Sequence, residues 1–243
     1  MGELSKSQID KLGDRLRMDP HTEADLHTLD EFRNSYILTS DAVLTILQRR
    51  HVLEPPVVRN IKSTLSIVAK LRRQPIKLSR IQDIAGCRII EPNILRQDKE
   101  IQNLKFDFPS ATVIDRRVKP SHGYRAVHVI VKVHEKPFEI QVRSVFQHQW
   151  AELSEKASDI VDPEIKYGGD GKGFNVPLMA ISHMIAGYET EELALYDAEP
   201  TAAPMTRAQF DEREHRLARL RGMISLQVRE LMAILEDLRR NGP

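Results

Sequence analysis

Between Arg59 and Arg88 the 243-residue chain sets eight Lys or Arg residues, at positions 59, 62, 70, 72, 73, 77, 80 and 88, against one acid, Asp83. The whole chain carries 36 basic and 35 acidic residues, a formal net charge of +1. Nothing in this balance suggests a polycation that coats nucleic acid, so any anion site must be local. Lys62, Ser66 and Lys70 recur at i, i+4 and i+8, which on a helix is one face, offering two ammoniums and a hydroxyl to a polyphosphate. A solvated helix face has the same composition.

A second set of polar side chains lies on strand-like segments. From Tyr124 to His134 the residues Val127, Val129, Val131 and Val133 alternate with Tyr124, His128 and Lys132. In FEIQVR, Phe138, Ile140 and Val142 face one way while Glu139, Gln141 and Arg143 face the other. If the two strands are neighbours, one sheet face gathers Tyr124, His128, Glu139, Gln141 and Arg143. A polar face that simply meets water gives the same alternation.

Other chemistries are excluded by spacing. His122, His128 and His134 resemble a metal set, but six residues of strand span roughly 20 Å, too far for one ion. The GGDGKG segment fails as a Walker loop, because Gly173 stands at the Ser/Thr position and Lys166 at the first glycine. No G-x-S-x-G elbow occurs. Cys87 sits alone in an apolar run and reads as a small buried hydrophobe.

Elements must hold these residues in place. Residues 5 to about 73 read as helical, with an acidic start over Asp19 to Asp25 and a Pro55-Pro56 break that opens a further helix at Val57. From Ile84 to Arg143 the short β-branched runs GCRII, ATVID, YRAVHVIVKV and FEIQVR read as a sheet. A helix follows from Ser144 to Asp159 and is broken by YGGDGKGFNVP. Residues 190–206 read as a linker rich in Ala, Pro and acids. Along the final helix, Phe210, Leu217, Ile224, Leu231 and Leu238 recur at heptad spacing, with Leu220 and Ile234 on the neighbouring stripe. Such a stripe either packs back on the protein's own core or pairs with another chain, the first being the plainer reading. The expected divisions are a helical segment at 1–55, a core at 56–189, the linker, and a C-terminal helix at 207–243. The first residues, MGELSKSQID, have no apolar leader, and no stretch approaches a membrane span, so the expected location is the cytoplasm, with no membrane partner.

Four segments together resemble the synthetase domain of the RelA/SpoT alarmone enzymes in its small single-domain form. They are IKSTLSIVAKL, RIQDIAGCRI, KPSHGYRAVH and EIQVRSVFQHQWAE, in that family's order and spacing across roughly residues 40 to 170. The resemblance implies an α+β fold, a mixed β-sheet flanked by helices and related to the nucleotidyltransferases, here with helical N- and C-terminal extensions. It implies a pyrophosphokinase that moves the β,γ-pyrophosphate of ATP onto the 3′-hydroxyl of GDP or GTP to make (p)ppGpp.

By the same resemblance Asp83 and Glu139 are the catalytic carboxylates, Asp83 holding Mg²⁺ and Glu139 completing the metal site or helping to deprotonate the acceptor hydroxyl, and Arg59, Lys62, Ser66, Lys70 and Arg88 bind ATP, with Arg88 on the adenine. Lys119, Tyr124, Arg125, His128 and Gln141 take the acceptor, Tyr124 by stacking on its base. Hard Mg²⁺ suits carboxylate oxygen, and a planar guanidinium suits an aromatic base. This sequence departs from the family pattern at Asn60, where an arginine is usual, and at Ser154-Glu155, where a Glu-His pair is usual. The wording AELSEK and IKYGG is closer to toxic small alarmone synthetases of toxin–antitoxin modules. That branch implies an alternative, a toxin that pyrophosphorylates the 3′-CCA end of tRNA, and an antitoxin or a second copy as partner of the C-terminal helix. A silent nucleotide-sensing module is a further alternative.

Overall fold

The computed structural model describes residues 4–18, 20–51, 54–196 and 205–241. They form an α+β fold around a mixed five-stranded sheet of order β1-β2-β5-β4-β3. By its contacts the chain divides into two compact units, one of residues 1–89, 104–114 and 128–141, the other of 90–103, 115–127 and 142–243. This division departs from the expected linear one, because the sheet strands are drawn from distant parts of the chain and the flanking helices follow them. Asp19 and residues 197–204, part of the expected linker, lie outside the described residues.

In the first unit, helices α1 (Lys6–Arg15), α2 (Glu23–Asn34) and α3 (Ile37–Gln48) begin the chain. Ser5 caps α1 with a reciprocal Gln8 box, and Thr22 caps α2 through the Asp25 amide. Their apolar faces bury Leu12, Leu16, Leu29, Phe32, Tyr36, Val43 and Leu47. The helix expected to open at Val57 does not form there. Val57–Arg59 is strand β1, paired antiparallel with β2 (Gly86–Glu91) in the register Val57 to Arg88 and Arg59 to Gly86. Two β-branched valines after Pro55-Pro56 suit an edge strand, and the next helix, α4 (Thr64–Arg73), starts where the Ser63 side chain caps the Ser66 amide.

Strands β4 (Val127–Val133) and β5 (Lys136–Ser144) form a hairpin through His134 and Glu135, whose φ angles are 49° and 59°. Two consecutive left-handed residues are what a two-residue type I′ turn requires. Of the valine face expected of β4, Val127, Val129 and Val131 are core and Val133 is half-buried, while Phe138 and Ile140 of β5 are core. Strand β3 (Thr112–Asp115) completes the sheet. Between β2 and β3 the chain is not strand and loop, as expected, but helix α5 (Ile94–Asp107), which buries Ile94, Ile101 and Leu104 on one face.

The second unit is built on helices. Helix α6 (Val145–Ile160), capped by Ser144, agrees with the expected span. Two 3-10 turns, Pro163–Tyr167 and Gly171–Gly173, carry the glycine-rich break, and α7 runs Asn175–Tyr196. Residues 190–196 are thus the end of a helix, because Glu192 and Leu195 are buried anchors and not linker positions. Helix α8 (Arg207–Asn241) packs on α6 and α7. Leu217, Ile224, Val228 and Leu235 are buried with Trp150, Leu153, Leu178, Ile181 and Ile185 in one cluster. Their 7-4-7 spacing follows a single helix face, so Ile234 of the neighbouring stripe stays 47% exposed. The heptads pack on the protein's own core. No helix of the described residues is long and apolar enough to cross a membrane.

Candidate active site

The basic run folds around its one acid. Lys62 does not lie on α4, whose first residue is Thr64, so it does not share a helix face with Ser66 and Lys70. Its backbone is fixed from two sides instead: its amide donates to the Ile84 carbonyl at 2.8 Å, and its carbonyl accepts from Arg33 Nε at 2.9 Å. The two ammoniums nonetheless converge on Asp83. Lys62 Nζ lies 3.1 Å from Asp83 Oδ2 and Lys70 Nζ 2.8 Å from Asp83 Oδ1. Burial pushes the Asp83 carboxyl up, but the two ammoniums outweigh it and hold the group at about 2. Ser66 is exposed and bonds Ser63 at 2.9 Å, so its observed work is at the helix cap.

A second carboxylate stands on β5. Glu139 is buried, with Oε2 accepting from Arg59 Nη1 and from Gln141 Nε2, both at 2.8 Å. Its Oε1 lies 2.9 Å from His128 Nδ1. Burial raises the Glu139 carboxyl, yet His128 and Arg59 together bring it below the ordinary carboxylate range, with Asp83 opposing them as a like charge. His128 and Gln141, expected on the acceptor, are thus also the hydrogen-bonding partners of the carboxylate. Arg59, expected on ATP, is its ion-pair partner.

Close approach of the backbones makes this possible. Glu139 donates its amide to the Ala85 carbonyl at 3.1 Å, and a Cβ at Gly86 would lie 2.4 Å from the Glu139 carbonyl oxygen. Only glycine fits there, which gives the D-I-A-G wording a physical reason. Arg88 follows on β2, half-buried.

The residues suit a divalent ion. Mg²⁺ is usually bound through one or two carboxylates together with substrate phosphates, not by an all-protein cage. Asp83 and Glu139 are two such carboxylates, both held in the ionised form and near enough for their charges to interact. Among the described residues no set of three or more His, Cys, Asp and Glu gathers as a metal cluster.

The expected acceptor residues Lys119, Tyr124 and Arg125 belong to the second unit. Tyr124 is not on the strand with His128, as alternation suggested. A bridge between Ser121 and Tyr124, with His122 at φ 51° and Gly123 at φ 84°, holds it in a turn before β4 begins at Val127. Its hydroxyl accepts from Arg143 at 3.1 Å, and that guanidinium carbon lies 5.2 Å from the ring centroid. Arg125 donates to the Arg117 carbonyl at 2.7 Å. Arg117 in turn is bound by Asp115 and Asp98, each at 2.7 Å. Lys119 is exposed.

Sequence reasoning missed two buried residues of α7 behind this turn. Ser182 Oγ donates to the Gly123 carbonyl at 2.6 Å, and Glu189 Oε2 lies 3.9 Å from Arg125 Nε. The available signal was a Ser and a Glu seven residues apart on a helix face that also carries Leu178, Ile181 and Ile185.

Residues 59–159 match the family described as the region found in RelA / SpoT proteins. An uncharacterized protein of Mycobacterium tuberculosis is 38% identical over 116 residues, 46% of this chain and 42% of that protein, and an uncharacterized protein of Mycobacterium bovis matches equally. The chain thus spans less than half the length of these curated relatives. Among solved structures, small alarmone synthetase 1 of Bacillus subtilis superposes with a TM-score of 0.54 at 21% identity, over 70% of this chain and 96% of that one. A GTP pyrophosphokinase family protein of Streptococcus pneumoniae gives 0.51 at 19%, over 79% and 97%. These likenesses are of fold.

Proposed function

With residues 59–159 a RelA/SpoT region, we propose that the chain is a pyrophosphokinase that transfers the β,γ-pyrophosphate of ATP to the 3′-hydroxyl of a guanosine nucleotide. The observation that carries this reading is the pair of ionised carboxylates: Asp83 between the ammoniums of Lys62 and Lys70, Glu139 beside the Arg59 guanidinium and the His128 ring. The B. subtilis relative with a TM-score of 0.52 is bound to its product pppGpp, which agrees in substrate class.

In the proposed reaction the 3′-oxygen attacks the β-phosphorus, the bond from that phosphorus to the α,β-bridging oxygen breaks, AMP leaves, and the hydroxyl proton passes to solvent. Mg²⁺ held by Asp83 and Glu139 would neutralise charge on the donor phosphates. Lys62 and Lys70 offer ammoniums to the same phosphates, and Arg88 a guanidinium plane to adenine. The depressed Glu139 carboxyl is a weak proton acceptor at neutral pH. It therefore serves better as a metal ligand and as the orienter of His128 than as a general base.

The acceptor reading follows from how the arginines are engaged. A tRNA acceptor needs basic residues that track a backbone well beyond the pocket. Of the six arginines that could form such a track, Arg117 is held by two aspartates, Arg216 by Glu191, Arg221 by the Tyr188 hydroxyl and Arg213 by the Ala194 carbonyl, while Arg116 and Arg219 are exposed. These partners favour a compact nucleotide over tRNA.

The test is to incubate the protein with γ-labelled ATP and Mg²⁺, offering GDP, GTP, an adenine nucleotide and tRNA in turn. Label in a guanosine nucleotide is expected, with Asp83→Asn and Glu139→Gln each lowering kcat on the order of 10²-fold or more, as loss of metal or charge stabilisation does. Label in tRNA alone would replace the nucleotide with the toxin reading, and unimpaired turnover in both variants would remove the assignment.

A further inference from the structure

Helix α7 lies outside the matched region and no role attaches to it from the motifs. Two of its buried side chains nevertheless meet the acceptor-side turn. Ser182 and Glu189 are seven residues apart, two helical turns, and so project from one face. Ser182, 1% exposed, donates to the carbonyl of Gly123 at 2.6 Å. Glu189, 4% exposed, places Oε2 3.9 Å from Nε of Arg125. The two contacts fall on either side of Tyr124.

The turn they meet is closed on its own side by the Tyr124 amide, which donates to the Ser121 carbonyl at 2.9 Å. Gly123 has φ 84°, and a Cβ there would lie 2.7 Å from the Trp150 ring and 3.0 Å from Met179. The chain can pass between α6 and α7 only as glycine, and a glycine has no side chain with which to fix its own orientation. From the α7 side, the Ser182 hydrogen bond to its carbonyl fixes the peptide that leads into Tyr124. The Glu189 carboxylate is itself fixed, with Oε1 accepting from Ser144 Oγ at 2.8 Å and from Gln147 Nε2 at 2.7 Å. Gln147 is locked in a reciprocal amide pair with Gln97, and Gln97 also donates to the Val142 carbonyl. A network this buried holds its members to one geometry.

We propose that Ser182 and Glu189 are positioning residues for the acceptor, Ser182 setting the Tyr124 ring through the Gly123 peptide and Glu189 setting the Arg125 guanidinium. The inference rests on the reading of Tyr124 and Arg125 as acceptor-binding. Neither α7 residue touches substrate; each acts through its neighbour in the turn.

Glu189→Gln isolates the Arg125 contact, because the amide oxygen can still accept from Ser144 and Gln147 while an NH₂ replaces the oxygen nearest Arg125. In the full-length protein, Glu189→Gln and Ser182→Ala are each expected to raise the KM for GDP or GTP about tenfold while the KM for ATP stays within about twofold. On an Arg125→Gln background Glu189→Gln should add nothing further, since a residue that acts through another is silent once that other is gone. Equal rises for both substrates would mean a general structural role and overturn the proposal. If Arg125→Gln raises the acceptor KM and Glu189→Gln does not, the positioning role alone falls. If Arg125→Gln itself leaves the acceptor KM unmoved, the acceptor assignment falls and the proposal with it. Should Ser182→Ala fail to fold, Glu189→Gln, which preserves the buried network, decides the matter alone.

Discussion

Each carboxylate in the molecule has its ionisation set by what surrounds it, and the three that matter most have been treated differently. Asp83 and Glu139 are desolvated but compensated by cations, and both fall below the ordinary range. For Glu189 burial prevails over Ser144, Gln147 and Arg125, and the carboxyl is raised. A raised acid binds more protons folded than unfolded, so its contribution is favourable below the ordinary glutamate value and is lost as pH climbs through the raised one. Urea unfolding of wild type and Glu189→Gln between about pH 4 and pH 8 should therefore show the wild type losing ground to the variant as pH increases. A difference that does not change with pH would mean that Glu189 ionises as an ordinary surface acid. Asp83 and Glu139 were legible in the sequence because each sits in a short motif, one as the lone acid of a basic run, the other at a defined strand alternation. Ser182 and Glu189 were not, since their meaning depends on which backbone the helix face is laid against. The partners of Glu139 were only half legible: period two placed His128 and Gln141 on its side, but not that they bond to the carboxylate itself.

At the level of elements, the strands were read correctly where β-branched residues alternate, and errors arose where local composition pointed two ways. Helix α5 hid among charged residues, although Ile94, Ile101 and Leu104 carry helical spacing and are buried together. At Val57 the proline pair suggested a helix start, and strand pairing with β2 won because the two valines have an edge to join. The hairpin between β4 and β5 offers a direct test of the backbone argument. His134 and Glu135 both occupy left-handed conformations that side-chain-bearing residues adopt at a cost. Replacing the pair with Asn-Gly should stabilise the protein by about 1 kcal/mol, seen as a higher urea midpoint at unchanged slope. The ion pair of Lys132 with Glu135 that is lost is largely exposed and offsets little of this. An unchanged or lower midpoint would show that the turn relaxes without strain.

Over the molecule as a whole, the C-terminal helix belongs to the core of its unit. Leu217, Ile224, Val228 and Leu235 are buried against the α6 and α7 cluster, and burying each such side chain is worth about 1.5–3 kcal/mol. Their sum is comparable with the entire stability of a domain. Deleting Arg207–Asn241 should therefore unfold the second unit, with loss of amide protection along α6 and α7; a truncated protein that keeps this protection would make α8 a helix awaiting a partner. The two units are also threaded through each other in sequence, the chain passing from one to the other at 89–90, 103–104, 114–115, 127–128 and 141–142. No single protease cut can release either unit intact. During synthesis, moreover, the residues through Ile89 leave the ribosome with their unit unfinished until Gln141 has followed. Contacts of the N-terminal helices with the hairpin, such as that of Thr39 with the Val133 carbonyl, form only once β4 and β5 have been made.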